Sequence, residues 1–310
     1  MGNFQKNPFV SVVIPALNEE KFLPKALESL RKQDYKNFEI IVVDNNSTDK
    51  TAEIAKSFGA KVVFEKNKGV GFARQTGFLA AQGEIIATTD ADTILPKNWL
   101  SEIVKRFQED ENLSAFGGLW NLYSGTLFAK FVVKHFIFLV WELDKFFSGG
   151  WSLPGCNMAV KKADFLKVGG FNVNIKLGED ADLSQKLKSV GKVVLDPNFR
   201  VQTSGRRFKD GLFWALFTYA PNGLYRMFFK KHKFQKLPSI RTEKPGFKRI
   251  VLPLTLVLII LITSFYPKDY ILAKKVIRNK KVIKTINLMK KGASKMIINH
   301  GKMIINHDRK

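Results

Sequence analysis

The sequence predicts an α/β fold with a mostly parallel central sheet and helices on both of its faces. Two observations support this prediction. From Phe9 onward, short runs rich in Val and Ile alternate with segments whose apolar residues recur at helical spacing. The runs are continuously apolar, which is typical of strands buried on both faces of a parallel sheet. Repeated strand, helix and strand units then place the helices on the two sides of that sheet.

Four strands are predicted in the first third of the chain. Their sequences are FVSVVIP, FEIIVVDNNS, AKVVFEKNKG and GEIIATTDAD, at residues 9–15, 38–47, 60–69 and 83–92. Each run ends in polar residues, proline or glycine, which are typical of the turn after a strand. Helices are predicted between the runs, where these apolar residues recur: Phe22, Leu23, Ala26, Leu27 and Leu30 in the first helix, and Ile54, Ala55 and Phe58 in the second.

Another helix and another strand are predicted further along the chain. Leu183, Leu187 and Val190 share one helical face, which places Glu179 and Asp180 in the first turn of that helix. The run KVVLDP at 192–197 predicts a strand.

The charge distribution is strongly uneven. Residues 1–199 carry 25 Lys and Arg against 23 Asp and Glu, a net charge of +2, whereas residues 200–310 carry 26 against 4, a net charge of +22. Such a basic region suits nucleic acid or an anionic membrane. Because the same region is rich in aromatic residues, we favour the membrane surface and expect no nucleic-acid partner. The single cysteine, Cys156, excludes an internal disulfide.

The chain is divided by composition into four predicted parts. Residues 1–210 form the main α/β domain, 211–249 an amphipathic membrane-interface region, 250–266 a hydrophobic membrane segment and 267–310 a basic tail that is weakly amphipathic or disordered. Inside the first part, residues 126–147 are apolar and aromatic with interspersed charges. We interpret them as an amphipathic helix lying on the sheet, with a membrane-surface helix as the alternative.

Candidate ligand-binding residues follow three of the predicted strands. In a parallel sheet, ligands bind in the crevice at the carboxyl ends of the strands. These ends carry polar or turn-forming residues: Pro15, Ala16, Asn18 and Glu19 after the first strand, Asp44, Asn45 and Asn46 after the second, and Asp90, Ala91 and Asp92 after the fourth. We therefore expect three clusters to converge on one edge of the sheet.

The triplet Asp90-Ala91-Asp92 is the sharpest of these clusters. Two carboxylates one residue apart can hold a hard divalent cation, with phosphate oxygens completing its shell. A single such triplet is also compatible with an ordinary loop or a helix cap. Its position after a buried strand favours the metal site.

Two further sets of charged residues are candidates. Glu179 and Asp180 begin a predicted helix, where they serve either as simple caps or as a general base at the mouth of a site. Arg206 and Arg207 suit diphosphate oxygens, and an alternative is that they face solvent or lipid. The chain contains no G-x-x-x-x-G-K-[ST] phosphate loop and no histidine or cysteine pairing suited to zinc.

The ordered motifs of residues 9–207 resemble family 2 of the inverting nucleotide-sugar glycosyltransferases, which have the Rossmann-like GT-A fold. The motifs are SVVIPALNEE, VVDNNSTDKT, KGVGFARQTG, the DAD triplet with TILPKNWL, GCNMAVKKADFLKVGGF and GEDADLSQKL. The resemblance implies a nucleotide-sugar donor, Mn²⁺ or Mg²⁺ as the cofactor, and roles for these residues: Pro15, Ala16, Asn18, Glu19 and Asp44 at the nucleoside, Lys68 and Arg74 near the nucleotide, Asp90 at the ribose, Asp92 on the metal, Asp180 as the catalytic base and Glu179 beside it on the acceptor side.

The resemblance also has gaps that bear on the acceptor. The Gln-x-x-Arg-Trp signature of processive polysaccharide synthases is absent, and Leu95-Pro96-Lys97 stands where polyprenol-phosphate transferases often have His-Pro-Pro. We therefore expect transfer of a sugar, from a UDP-sugar ahead of a GDP-sugar, to a hydroxyl of a glycan or lipid-linked acceptor. The alternatives are a polyprenol-phosphate glycosyltransferase, a sugar nucleotidyltransferase, and a catalytically dead module that binds anionic lipid or nucleic acid. The expected location is the cell membrane, with the catalytic domain facing the cytoplasm.

Overall fold

The computed structural model describes residues 7–175 and 177–208. The predicted interface region at 211–249, the hydrophobic segment at 250–266 and the basic tail at 267–310 lie outside the described residues.

Within the described residues, eight strands form one sheet. The strands are β1 (Val10–Ala16), β2 (Phe38–Asp44), β3 (Lys61–Phe64), β4 (Ile85–Thr88), β5 (Thr93–Ile94), β6 (Leu113–Leu122), β7 (Met158–Lys161) and β8 (Lys192–Thr203). The helices are α1 (Leu23–Arg31), α2 (Thr51–Ser57), α3 (Val70–Ala80), α4 (Trp99–Glu109), α5 (Leu127–Ser148), α6 (Lys162–Lys167) and α7 (Glu179–Leu187). One 3₁₀ turn, Gly205–Phe208, follows β8.

The sheet is mixed, with the strand order β3-β2-β1-β4-β7-β6-β8-β5. Strands β3, β2, β1 and β4 are parallel, as the sequence predicts. Strand β7 runs antiparallel to both β4 and β6, and β5 runs antiparallel to β8. The expectation of a mostly parallel sheet therefore describes the first half and misses these two reversals. Both reversed strands are too short, at four and two residues, to give a periodic signal.

Two apolar layers bury the two faces of the sheet. Along β1, Val12 and Ile14 point into the layer that contains α1 and α4, whereas Val13 points into the layer that contains α3 and α7. This alternation is the ordinary consequence of the pleat. The result is the predicted sheet with helices on both faces, and the polar ends of its strands are left at one edge.

Helix α5 covers residues 127–148 and lies on the second half of the sheet, in agreement with the amphipathic helix predicted at 126–147. Thr126 caps it by accepting a hydrogen bond from the Ala129 N–H. Ala129 and Val133 are buried against Leu122 of β6. Among the described helices, none combines the length and the apolar content needed to cross a membrane.

An irregularity in β6 and β8 is held by Asn157. The pairing of the two strands shifts between Gly118 and Leu119. The Asn157 amide donates to the carbonyl oxygens of Leu119 and Phe199, at 3.0 and 2.9 Å, and accepts from the Trp99 indole at 2.8 Å. These bonds satisfy two buried carbonyls that the strand shift would otherwise leave unpaired. They also fix the direction in which β8 approaches the edge of the sheet.

Candidate active site

The carboxyl ends of β2, β1 and β4 lie side by side, because these strands are neighbours in the sheet. Ala16 is paired in register with Asp44, and the turn carrying Asp90 and Asp92 follows β4 directly. The structure therefore brings the three predicted polar clusters to one edge. Glu179 and Asp180 reach the same edge from the start of α7.

A buried arginine joins two of these clusters. Arg74 on α3 has a side chain only 5% exposed; it contacts the Glu179 carboxylate and lies 2.8 Å from Asp90 Oδ1. Burial alone would lower the pKa of Arg74, but the carboxylates of Glu179 and Asp90 outweigh this effect and raise it. A Cβ at Gly155 would collide with this guanidinium, so the absence of a side chain there makes room for the ion pair.

Glu179 is a buried member of this network. Burial and the neighbouring Asp180 carboxylate raise the pKa of Glu179 to about 7, although Arg74 opposes the shift. The resemblance implied that Glu179 neighbours the base on the acceptor side. In the structure, Glu179 also contacts Arg74 and holds its guanidinium in place.

Asp180 is more accessible than Glu179 and is held by backbone groups. Its Oδ2 accepts a hydrogen bond from the Gly155 N–H at 2.8 Å, and its Oδ1 accepts from the Ala181 N–H at 2.8 Å. The N-cap residue of α7 is Gly178, which has no side chain with which to cap the helix. Asp180 therefore does not occupy the N-cap position, and its carboxylate is held both by the first turn of α7 and by the distant loop at Gly155.

A second arginine, Arg206, joins the carboxylates of Glu19 and Asp92. Arg206, in the 3₁₀ turn after β8, donates to both oxygens of Glu19, at 2.8 and 2.6 Å, and its Nε lies 2.8 Å from Asp92 Oδ2. The guanidinium also lies 4.6 Å from the ring centre of Phe22. Its side chain is 20% exposed, against 5% for Arg74. The side chain of Arg207, predicted to act with Arg206, lies outside the described part of the structure.

The predicted nucleoside side is a network of turns after β1 and β2. Asn18 has a positive φ of 54°; its backbone N–H donates to Ser47 Oγ at 3.0 Å, and its Oδ1 accepts from the Thr48 N–H at 2.7 Å. The Asp44 carboxylate accepts from the Ser47 N–H at 3.0 Å. Pro15 is half-buried and Ala16 is buried at the end of β1. These bonds fix the loops around Asp44.

Asn45 was predicted only as a polar residue at the carboxyl end of the second strand, and the structure gives it a positioning role. Its Oδ1 accepts from the Gly69 N–H at 2.8 Å, and its Nδ2 donates to the carbonyls of Glu65 and Asn67 at 3.0 and 2.6 Å. This amide fastens the loop before α3 to the end of β2. Lys68 lies on that loop and is exposed.

Tyr123 and Cys156 also belong to this edge and were missed as site residues. Burial raises the pKa of Tyr123, which lies near Ser204, Asp92 and Arg206. Burial raises the pKa of Cys156 well above its usual value, and the Asp90 charge adds to the effect. A neutral, enclosed thiol is a poor nucleophile. No local motif marks Tyr123, because only the fold brings it to the site.

The acidic residues suit a divalent cation in part. Asp90 and Asp92 supply carboxylate oxygens, the ligands that hard cations prefer. In the described residues no cluster of three or more metal-binding side chains is found, so phosphate oxygens would have to complete the shell. Arg206 supplies positive charge to Asp92 at the place where a cation would supply it. We conclude that the residues fit such a cation if Arg206 exchanges its carboxylate partner.

The mixed α/β sheet with helices on both faces is also found in solved glycosyltransferases. The mannosyltransferase PcManGT from Pyrobaculum calidifontis, in complex with GDP-Man and Mn²⁺, is 21% identical with a TM-score of 0.60, over 94% of this chain and 81% of that chain. Glucosyl-3-phosphoglycerate synthase from Mycobacterium tuberculosis, in complex with Mn²⁺, UDP and glucosyl-3-phosphoglycerate, is 20% identical with a TM-score of 0.51, over 71% of this chain and 80% of that chain.

The family is identified by sequence. Residues 11–161 match the model of glycosyl transferase family 2, and the resemblance drawn from the motifs is confirmed. A probable glycosyltransferase of Bacillus subtilis, YdaM, is 30% identical over 208 residues, which are 61% of this chain and 49% of YdaM. The chain thus spans about half the length of this curated relative.

Proposed function

We propose that the protein is a metal-dependent, inverting glycosyltransferase that moves a sugar from a nucleotide-sugar donor to a hydroxyl of a glycan or lipid-linked acceptor. The observation that carries this proposal is the placement of Asp180. Its carboxylate is held by the Gly155 N–H, and the same glycine lies against Arg74, which binds Asp90. One loop therefore joins the proposed base to the proposed donor side.

The donor is proposed to be a UDP-sugar, with a GDP-sugar as the second choice. Asp44 is the proposed base reader, and one of its oxygens already accepts from the Ser47 N–H. The remaining acceptor capacity suits the single imide N–H of uracil, whereas guanine presents a paired set of donors on its edge. PcManGT was solved with GDP-Man and the mycobacterial synthase with UDP, so relatives of this fold take both bases.

In the proposed reaction the Asp180 carboxylate accepts the proton of the acceptor hydroxyl as its oxygen attacks the anomeric carbon. The bond from that carbon to the diphosphate breaks on the opposite face, so the anomeric configuration inverts. A sugar hydroxyl is a very weak acid, and a positioned general base typically accelerates its attack by about 10²–10⁴-fold. Asp180 has the orientation for this task because two backbone N–H groups fix its carboxylate.

The departing diphosphate needs positive charge near it. Asp92 and Asp90 would hold Mn²⁺ or Mg²⁺, which supplies charge stabilisation of the leaving group when bound. Arg206 would then donate to diphosphate oxygens, a partner that suits its fork of N–H groups as well as Glu19 does. Arg74 holds Asp90 in a fixed orientation for the ribose.

A hydroxyl acceptor is favoured over a polyprenol phosphate. A lipid phosphate is already an anion near neutral pH and has no proton to lose, so a general base would contribute nothing to its attack. The oriented Asp180 carboxylate and the missing His-Pro-Pro sequence point the same way. Release of pyrophosphate instead of a nucleoside diphosphate would identify a nucleotidyltransferase.

We also propose that the protein works at the cell membrane with its catalytic domain in the cytoplasm. The sequence supports this through the net charge of +22 in residues 200–310 and the charge-free run at 250–266. A nucleotide-sugar donor would be met on the cytoplasmic side.

The test is an assay of the full-length protein with a panel of nucleotide sugars, Mn²⁺ or Mg²⁺, and sugar acceptors, in which nucleoside diphosphate release and product are measured. Asp180→Asn should reduce transfer by about 10²-fold or more, while nucleotide affinity stays nearly unchanged. Asp92→Asn should weaken nucleotide binding in the presence of metal.

Asp182→Asn is the matched control for Asp180→Asn. Asp182 lies on the same helix and pairs with Lys186 at 3.2 Å, so its loss should leave transfer nearly intact. Normal transfer by the Asp180 variant, or a polyprenyl phosphosugar as the product, would contradict the acceptor assignment.

A further inference from the structure

Helix α5 begins with large apolar side chains on the surface. Leu127 is 85% exposed, Phe128 59% and Phe131 55%. We call these three residues the α5 apolar face. The opposite side of the same turns is buried, with Ala129 and Val133 against the sheet. Exposed apolar clusters of this kind mark interaction surfaces more often than isolated apolar residues do.

This face is stably held. Trp141 packs edge to face on Trp120 of β6 at 5.0 Å between ring centres, and its indole donates to the Ser152 carbonyl at 2.7 Å. The Thr126 cap fixes the first turn. The orientation of α5, and hence the exposure of its apolar face, is therefore set by packing on the other side.

The charge around the face is basic. Lys130, Lys134 and His135 lie among the apolar residues, with Lys134 and His135 exposed, and the first acidic residue of the helix is Glu142. A surface that combines aromatic and aliphatic side chains with lysines suits the headgroup boundary of an anionic bilayer, where apolar groups enter and cations stay at the phosphates.

The face adjoins the proposed diphosphate site. Ser124, three residues before Leu127, accepts a hydrogen bond from the Gly205 N–H at 2.9 Å. The next residue, Arg206, binds Glu19 and Asp92. The start of α5 is thus separated from the site's arginine by a single pair of bonded loops.

We propose that the α5 apolar face docks on an anionic membrane surface and so presents the mouth of the site to acceptors at that surface. This inference rests on the proposed function for its purpose, but the docking can be measured without any sugar transfer. The occupant is the lipid surface; a second copy of the chain or a segment of the same chain is an alternative outcome of the test.

A local probe is needed, because other basic regions of the chain are also expected to bind membranes. Phe128→Cys in the full-length protein can be labelled with an environment-sensitive fluorophore, since Cys156 is buried and its thiol has a raised pKa. Leu79→Cys is the matched control, because Leu79 is 58% exposed on α3. Vesicles of phosphatidylglycerol and phosphatidylcholine are compared with vesicles of phosphatidylcholine alone.

We expect the label at position 128 to shift to shorter wavelength with the anionic vesicles and to be quenched by lipids brominated in the acyl chains, whereas the label at 79 stays in water. Leu127→Ser with Phe128→Ser should weaken binding to these vesicles by about tenfold. The exposed pair Phe64→Ser with Leu79→Ser should leave binding unchanged.

Three results would overturn the proposal. In the first, the label at 128 stays in water although the protein sediments with vesicles. In the second, the label is shielded before vesicles are added and does not respond to them; shielding that depends on protein concentration would identify a second copy, and shielding that does not would identify a segment of the same chain. In the third, the labels at 128 and 79 respond alike. Transfer to a soluble acceptor in detergent is measured in parallel. Docking without transfer would refute the proposed function alone, and transfer without docking would refute this inference alone.

Discussion

Two arginines in the site each hold two carboxylates, yet their surroundings differ. Arg74 lies on α3 inside the domain, is 5% exposed and is enclosed by Gly155, Glu179 and Asp90. Arg206 lies on the last described turn, is 20% exposed and reaches Glu19 and Asp92 from the end of β8. The comparison separates an ion-pair network enclosed in the folded core from one at the end of β8, in which we propose that Arg206 exchanges its carboxylate partners for ligand contacts.

Removal of Arg74 should have the largest effect. Arg74→Met leaves Glu179 buried beside Asp180 without its cation, and the loss of one partner of a buried ion pair typically costs about 3–5 kcal/mol of stability. Chemical denaturation measures this change. Addition of Glu179→Gln to Arg74→Met should recover part of the lost stability. If Arg74→Met alone loses less than about 1 kcal/mol of stability, the pair behaves like a surface ion pair.

Glu179 should make stability depend on pH. Its pKa is about 7 in the folded protein against an ordinary value of 4.5, so the folded state holds this proton more tightly. The stabilisation is complete below about pH 4.5 and is lost as the pH rises through 7. The free energy of unfolding of Glu179→Gln minus that of the parent protein should therefore increase by about 2–3 kcal/mol from pH 5 to pH 8, as measured by denaturation curves. Parallel pH profiles for the two proteins would contradict this.

Gly155→Ala should disturb the core network from the loop side. The added Cβ collides with the Arg74 guanidinium, and such overpacking typically costs about 1–3 kcal/mol. The Gly155 N–H also orients Asp180, so transfer should fall with it. Gly71→Ala is the control, because a Cβ there meets the Ile175 carbonyl oxygen at an ordinary 3.5 Å. Equal effects of the two substitutions on melting temperature and on transfer rate would count against the network.

Arg206→Met should have the smallest effect on stability and a clear effect on the ligand. We expect a smaller loss than for Arg74→Met, because Arg206 is 20% exposed, although its carboxylate partners Glu19 and Asp92 are buried. The affinity for UDP or GDP with Mn²⁺, measured by calorimetry, should fall by about tenfold through lost charge-assisted bonds. Arg106→Met, which removes a 39% exposed arginine paired with Glu102 and Asp196, should leave nucleotide affinity unchanged. If the Arg206 variant binds the nucleotide with unchanged affinity, Arg206 pairs with Glu19 and Asp92 but does not bind the nucleotide.

The sequence predicted the parts of the site that lie next to a regular element. Asp44, Asp90 and Asp180 each follow a strand or begin a helix whose apolar pattern is unmistakable, so their places could be read directly. The arginine bridges could not be read in this way. Arg74 meets Glu179 across 105 residues and Arg206 meets Glu19 across 187, and no local periodicity encodes such pairings.

Backbone contacts were also beyond the sequence. Gly155 and Asn157 belong to a recognised motif, GCNMAV, but their roles depend on where Arg74 and the irregular β6 and β8 pairing lie in space. Strand β7 carries too few residues for its antiparallel direction to be inferred from a pattern. These features arise from tertiary packing, which overrides or supplements local preference.

The pairing of β5 with β8 sets the order in which a nascent chain can acquire its binding site. Strand β5 directly follows Asp92, but its partner β8 is made about a hundred residues later; Thr93 pairs with Thr203, and the Ser204 N–H donates to the Asp92 carbonyl. A ribosome-bound chain that ends before residue 192 already contains every acidic residue of the site, but lacks the strand that holds Asp92 and the arginine that neutralises it. Nucleotide binding should therefore begin only when β8 and Arg206 have left the ribosome, which makes ligand capture a reporter of the emergence of β8.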